Sequence, residues 1–94
     1  MPMTVYQAEW CPFSQRLRQR LTELGVEWLA VPVEAEPSDR DAMREATGTD
    51  IIPVVVLEDG TVLGGDTEDI IAELDERIPE PATAEGHKLA AAMH

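Results

Sequence analysis

The sequence has one cysteine, one lysine and no long hydrophobic run, and each shortage excludes a class of protein. One cysteine cannot close a disulfide within the chain, so a small secreted domain held together by disulfides is excluded. The two histidines, His87 and His94, stand far along the chain from Cys11, and no zinc-ligand spacing is present. We therefore expect neither a structural disulfide nor a metal site.

Segments that direct a protein to a membrane are also missing from the sequence. No run approaches the roughly 18 apolar residues of a membrane-spanning helix, and the first residues lack the basic and then apolar pattern of a signal peptide. A cytoplasmic location is the expectation that follows, and we separately expect a monomer. Ninety-four residues suffice for one domain with one core, which we assign to residues 1–81, followed by an Ala-rich tail or short helix at 82–94.

Negative charge dominates the composition, and the net charge is −12. A chain with this charge is repelled by nucleic acids and by anionic membranes, so neither is an expected partner. The charge is uneven, because residues 1–26 sum to +1 and the remainder to −13. The region around Cys11 is therefore the least acidic. This local charge has two interpretations: one helix has an exposed arginine face, or the region attracts anionic small thiols. The shortage of lysine in the whole chain also fits a salt-adapted or high-GC source organism.

The hydrophobic pattern predicts one α/β domain with the order β-α-β-α-β-β-α and a mixed four-stranded sheet flanked by helices. A crossover helix after the first strand implies a parallel pair, and Asp59-Gly60 predicts a hairpin. Pro53 is expected at the entry of the third strand. The second strand is apolar enough to predict burial, although Pro32 indicates an edge or an early end. Strands are predicted over residues 3–6, 26–33, 51–57 and 61–63; helices are predicted from Pro12 to Gly25, from about residue 38 to Gly48, and from Asp66 or Thr67 to Pro79.

Cys11 lies within residues 10–14, Trp-Cys-Pro-Phe-Ser, directly before a predicted helix that carries three arginines. A helix N-terminus offers unpaired N–H groups and the positive end of the helix dipole, and both favour the thiolate. Pro12 suits the first helical position. Two interpretations are open: an activated thiol exposed at a helix N-terminus, or a small buried hydrophobic residue, as most free cysteines are. The flanking residues favour the activated thiol.

Three motifs, at residues 10–14, 52–54 and 64–67, occur together in an order that resembles a known family. Over about residues 3–78 the chain is similar to the thioredoxin fold in its glutaredoxin form. Residues 11–17, Cys-Pro-Phe-Ser-Gln-Arg-Leu, also resemble the N-terminal domains of omega-type glutathione transferases and chloride intracellular channel proteins. Those proteins continue into an all-helical domain.

The resemblance implies a site for glutathione, or another low-molecular-weight thiol, as a co-substrate that is not bound permanently. The backbone of Ile52 would pair with the cysteinyl part of glutathione. The bond before Pro53 would be cis, whereas an ordinary strand-entry proline is trans. Asp66 and Thr67 would hold the γ-glutamyl end or act only as a helix cap. The implied catalytic residues are Cys11 and Ser14, and the implied glutathione-binding residues are Pro12, Phe13, Ile52, Pro53, Gly65, Asp66 and Thr67.

Two positions depart from the glutaredoxin pattern. Ser14 stands where dithiol glutaredoxins have a second cysteine, so a resolving step within the chain is impossible. Many glutaredoxins have a lysine shortly before the cysteine for the glycyl carboxylate of glutathione, and Glu9 near that position would repel the carboxylate. Arg16 or Gln15 could compensate for this charge.

The sequence predicts a single-cysteine thiol–disulfide oxidoreductase that reduces mixed disulfides of small thiols and proteins through Cys11. One alternative is an iron–sulfur carrier, in which two chains hold a cluster with Cys11 and glutathione. A second alternative is a binding module that resembles the transferase N-terminal domain and has no turnover. A complete transferase would need the helical domain that forms its second-substrate pocket.

Overall fold

The predicted order of strands and helices is confirmed over residues 3–79, the part of the chain that the computed structural model describes. The predicted tail at 82–94, and the ends of the domain assigned to 1–81, lie outside the described residues. The elements are β1 (Met3–Gln7), α1 (Pro12–Leu24), β2 (Trp28–Pro32), a 3₁₀ turn (Pro37–Asp39), α2 (Asp41–Thr47), β3 (Val54–Val56), β4 (Val62–Leu63) and α3 (Thr67–Arg77).

The four strands form one mixed sheet in the order β2-β1-β3-β4. The β1–β2 pair is parallel, and the β1–β3 and β3–β4 pairs are antiparallel, as the crossover helix and the hairpin predicted. β1 lies in the interior of the sheet, where Val5 is opposite Ala30 on one side and Val55 on the other. The loop that follows β1, with Cys11, therefore lies near the middle of the sheet, at the end where the carboxyl terminus of β1 is located.

The prediction that the second strand is buried is wrong. β2 is an edge strand that pairs only with β1, and its Leu29 side chain is well exposed. An apolar sequence fits an edge as well as a centre, since position in the sheet depends on which strands pair. Pro32, at the end of β2, has no N–H to donate to a further strand, and this agrees with the edge position that Pro32 indicated in the sequence.

The core lies between one face of the sheet and the helices α1 and α3. Alternate residues of β1 point into it, as expected for a period of two. The helices contribute apolar residues at spacings of three and four, the pattern of an amphipathic helix. Burial of these side chains holds both helix N-termini in place. The core cluster comprises Met3, Val5, Leu17, Leu21, Leu24, Val55, Leu63, Ile70, Ile71 and Leu74.

Helix ends mostly follow the sequence signals. α1 ends at Gly25, whose φ of 68° is left-handed and whose N–H reaches carbonyls of the last turn. α3 begins after Asp66, whose carboxylate accepts the Glu68 N–H at 2.9 Å. The second helix differs from its prediction, because its expected cap region forms the 3₁₀ turn and α2 starts after Arg40 without a side-chain cap.

Arg40 is buried and ties together two loops near the end of the sheet that carries Cys11. Its guanidinium donates to the carbonyls of Glu34 at 2.7 Å, Ala35 at 3.1 Å and Asp50 at 2.8 Å. These bonds join the chain that leaves β2 to the segment that leads into Ile52 and β3. The side chain thus satisfies three backbone carbonyls that a loop would otherwise leave unpaired.

Candidate functional site

The loop between β1 and α1 places Cys11 at the N-cap position of α1. Cys11 has extended backbone angles, φ −80° and ψ 122°, and Pro12 takes the first helical turn. The Cys11 N–H donates to the Ala8 carbonyl at 3.2 Å, and the Cys11 carbonyl accepts the Gln15 N–H at 3.0 Å. The cysteine is therefore fixed on both sides, with its side chain at the positive end of the helix dipole.

The prediction that this thiol is exposed to solvent is wrong. Cys11 is only 6% exposed in the folded chain. Cys11 is nevertheless absent from the apolar cluster that fills the space between sheet and helices. It lies at the margin of the core, beside polar groups, and this position matters for its acidity.

The predicted lowering of the Cys11 pKa is confirmed in direction. Burial is the largest single influence and by itself raises the pKa of the thiol, since it disfavours the charged form. The Ser14 N–H, the Ser14 hydroxyl, the Phe13 N–H and the charge of Arg18 act in the opposite direction and together outweigh burial. The folded protein therefore favours the thiolate, the nucleophilic form of cysteine.

Ser14 is fully buried and connects the loop to the sulfur. Its Oγ accepts the Ala8 N–H at 3.3 Å. Since a hydroxyl has one hydrogen as well as its lone pairs, Ser14 can accept from Ala8 and donate to Cys11 at the same time. Ser14 thus fills the position of a second cysteine with a hydrogen-bonding group.

Only one of the three arginines on α1 acts on the thiol. Arg18 lowers the Cys11 pKa and also donates to the Gln7 side chain and to the Ala8 carbonyl at 3.3 Å, so it supports the loop from behind. It forms a 3.7 Å ion pair with Glu9 as well. Arg20 instead pairs with acidic residues of α1 and α3. As influences on the thiol, the three arginines were not separated by the sequence, because only the rotation of the helix distinguishes their positions.

A cleft of about 290 Å³ lies between the first turn of α1, the loop before β3 and the start of α3. It brings together five of the residues predicted to bind glutathione, from three separate parts of the chain. Gly65 has a φ of 98°, a left-handed conformation that favours glycine, just before the helix cap. The lining residues are Phe13, Arg16, Ile51, Ile52, Gly65, Asp66, Thr67 and Glu68.

Four predicted site residues are not part of the cleft lining: Cys11, Pro12, Ser14 and Pro53. Cys11 and Ser14 flank the lining residue Phe13 at the start of α1. Pro53 is buried, follows a cis peptide bond as the resemblance implied, and stands directly before β3, so its predicted place at the strand entry is confirmed.

Three lining residues were not assigned as ligand-binding residues from the sequence. Ile51 is a neighbour of the Ile-Pro motif and well exposed. Arg16 and Glu68 are 52 positions apart and form an ion pair across the cleft, with Arg16 Nε 3.3 Å from Glu68 Oε2. The charge of Arg16 suggested a role in the sequence, but no local signal links it to Glu68.

The sequence left two roles open for Asp66, a helix cap and a contact with the γ-glutamyl end of glutathione, and the structure bears out the cap. Its carboxylate caps α3, and the same residue lines the cleft. A contact of Asp66 with a ligand remains a prediction, and it would be made by a carboxylate that already accepts one backbone N–H.

Metal and membrane features were searched over the same part of the chain. Within residues 3–79, no group of three or more His, Cys, Asp or Glu side chains is arranged to hold a metal ion. None of the helices described for this range combines the length and apolar character needed to cross a bilayer.

Comparison with known proteins identifies the family. The sequence model of the glutathione S-transferase N-terminal domain matches residues 10–77, which is most of the chain. The chain belongs to this family. A glutaredoxin from Pseudomonas aeruginosa is 26% identical over 65 residues, which are 69% of this chain and 77% of the relative. The family and this relative support a glutathione-related redox or binding role.

Solved structures agree on the thioredoxin-like fold. Glutaredoxin 2 from Salmonella typhimurium, solved in complex with glutathione, matches 84% of this chain with a TM-score of 0.69 and 19% identity. A glutathione S-transferase from Rhodospirillum rubrum matches 84% with a TM-score of 0.69 and 26% identity. The chain spans 35% of each of these two solved chains, so the match covers the thioredoxin-like part of longer proteins.

Proposed function

We propose that the protein is a single-cysteine thiol–disulfide oxidoreductase that reduces mixed disulfides of glutathione, or of an analogous low-molecular-weight thiol, through Cys11. The observation that carries the proposal is a thiol at a helix N-terminus whose pKa is lowered despite burial. The adjacent cleft supports glutathione as the co-substrate, since five of its eight lining residues are among those that the family resemblance implied.

The proposed reaction has two exchange steps. The Cys11 thiolate attacks the glutathione sulfur of a mixed disulfide; a new bond between Cys11 and glutathione forms, the original disulfide bond breaks, and the released thiolate takes a proton. A second glutathione thiolate then attacks the glutathione sulfur on Cys11, which yields glutathione disulfide and restores the Cys11 thiolate. The net reaction converts one mixed disulfide and one free glutathione into the released thiol and glutathione disulfide, and no second cysteine is needed.

The groups around Cys11 suit both steps. A lowered pKa supplies thiolate for the first attack, and the same property makes Cys11 a good leaving group in the second. The N–H groups of Phe13 and Ser14, together with the Ser14 hydroxyl, stabilise the negative sulfur in each case. Arg18 adds positive charge without occupying the cleft.

A second candidate function, a binding module without turnover, is favoured by the low exposure of Cys11. A residue that is 6% exposed has little surface for attack by a bulky protein disulfide. The cleft would then bind the thiol compound while the sulfur stays unreacted. The two functions differ in whether Cys11 forms a mixed disulfide, and this difference can be measured.

The deciding experiment follows reduction of a glutathionylated peptide by glutathione, with mass spectrometry of the protein during turnover. We expect an adduct of one glutathione on Cys11 and steady reduction of the peptide. Cys11→Ser should form no adduct and reduce the peptide no faster than glutathione alone. Full activity of that variant would overturn the mechanism. Binding of glutathione without adduct or turnover would favour the binding module.

A further inference from the structure

We propose that the ion pair between Arg16 and Glu68 is a latch on the cleft, which a carboxylate of the ligand must open in order to bind. This inference rests on the proposed function, since it assumes that the cleft receives glutathione or an analogue with its γ-glutamyl α-carboxylate beside Asp66 and Thr67, where the family resemblance places that end. Arg16 would then be a specificity-determining residue, and the Glu68 carboxylate would compete with the ligand carboxylate for the Arg16 guanidinium.

The geometry of the pair is that of a guanidinium holding a carboxylate by two atoms. Arg16 Nε lies 3.3 Å from Glu68 Oε2, and Arg16 Nη2 lies 3.4 Å from Glu68 Oε1. Both residues line the cleft, one from α1 and the other from α3. Their side chains are 42% and 65% exposed, so the pair is open to exchange with a ligand from solvent.

Among the described residues that line the cleft, Arg16 is the only basic one. Two acidic residues, Asp66 and Glu68, share that lining, and Asp66 already accepts the backbone N–H of Glu68. A ligand carboxylate that enters the cleft therefore has one basic side chain to pair with, and Glu68 holds it in the free protein. Since guanidinium recognises carboxylates through paired N–H donors, the Glu68 carboxylate occupies the position that a ligand carboxylate would take.

The pair has little weight as a fold-stabilising contact. Exposed ion pairs contribute weakly to stability because solvent screens them and two long side chains must be ordered. The burial of apolar residues on α1 and α3 already joins the two helices. A weak bond of this kind is suited to exchange, because a ligand carboxylate can replace it at small cost.

The test measures binding of S-methylglutathione, which has the carboxylates of glutathione but no reactive thiol, to the full chain by calorimetry at low salt. Glu68→Gln should tighten binding about two- to fivefold, the range expected when an exposed ion pair no longer competes. Arg16→Gln should weaken binding about tenfold, as for loss of a charge-assisted hydrogen bond. In the double variant the gain from Glu68→Gln should vanish.

A matched control separates the latch from a change in overall charge. Glu73 lies on α3 and pairs with Arg77 at 3.0 Å, and neither residue lines the cleft. Glu73→Gln therefore makes the same charge change away from the ligand, and we expect affinity to stay near that of the parent. If Glu68→Gln and Glu73→Gln tightened binding equally, the latch would be overturned. Weaker binding by Glu68→Gln would do so too, because Glu68 would then be contacting the ligand ammonium.

A second ligand identifies the carboxylate that opens the latch. In an analogue with γ-aminobutyryl in place of γ-glutamyl, the α-carboxylate is missing, and neither Arg16→Gln nor Glu68→Gln should then change the affinity. Continued sensitivity to both variants would overturn the assignment of this carboxylate. If the Glu68→Gln variant bound no S-methylglutathione but still reduced mixed disulfides through Cys11, the latch would be rejected and the proposed function would stand. If the affinities changed as expected for the latch but Cys11 reduced no mixed disulfide, only the proposed oxidoreductase function would be rejected.

Discussion

The two helices that meet at the cleft begin in opposite ways. α1 begins with a thiol at its N-cap and has no acidic residue in its first turn. α3 begins with the capping carboxylate of Asp66, and two further acidic residues follow in its first turn. Carboxylates at a helix N-terminus neutralise the dipole and stabilise the helix. Carboxylates therefore stabilise the N-terminus of α3. At the N-terminus of α1 no carboxylate competes with the sulfur, and the N–H groups of Phe13 and Ser14 stabilise the Cys11 thiolate instead.

The largest effect on this contrast is expected at Ser14. Ser14→Ala removes the hydroxyl that contacts the sulfur and leaves the Ala8 N–H without its acceptor. A buried unpaired donor costs about 1–3 kcal/mol, so the free energy of unfolding should fall by that order. The Cys11 pKa should rise, and the alkylation rate should begin to increase at higher pH than in the parent protein.

The sign of this pH dependence follows from the direction of the shift. Because the parent pKa lies below the ordinary thiol value, thiolate is present at pH values where a free cysteine is still protonated. Losing the Ser14 hydroxyl removes one cause of that lowering. Ser38→Ala, in the exposed 3₁₀ turn, is the matched control and should leave the alkylation profile in place. An unchanged profile in Ser14→Ala would remove Ser14 from the site.

The sequence was sufficient for the features that local patterns determine. Gly25 ends α1, Pro53 precedes β3 and Asp66 caps α3, each for a reason that lies within a few residues of the position itself. The direction of the Cys11 pKa shift also followed, because a helix N-terminus acts on the thiol through its own first turn. These features need no knowledge of the rest of the fold.

The features that sequence missed depend on contacts between distant segments. The exposure of Leu29 was predicted wrongly, because it depends on where β2 lies in the assembled sheet. Arg16 meets Glu68 only once α1 and α3 pack side by side. Periodicity gives the face of a helix that is buried but not the partner of each exposed charge.

An intermediate effect is expected at the other helix. Asp66→Ala removes the carboxylate that accepts the Glu68 N–H, and loss of such a cap costs about 1 kcal/mol. Urea unfolding should therefore show a lower midpoint with an unchanged slope. Asp69→Ala removes an acidic residue from the same turn without removing the cap and should cost less. Equal losses would mean that charge alone, and not capping geometry, stabilises the start of α3.

The smallest effect tests the contrast itself, by giving α1 an acidic first turn like that of α3. Gln15→Glu places a carboxylate one residue after Ser14 on an exposed position. Its charge opposes the thiolate and competes for the dipole, so the Cys11 pKa should rise and alkylation near neutral pH should slow about two- to fivefold. Gln19→Glu, one turn farther along α1, makes the same charge change at greater distance from the sulfur and should slow it less. If the two variants slowed alkylation equally, net charge would explain the effect, and the uncharged first turn of α1 would have no special part in activating Cys11.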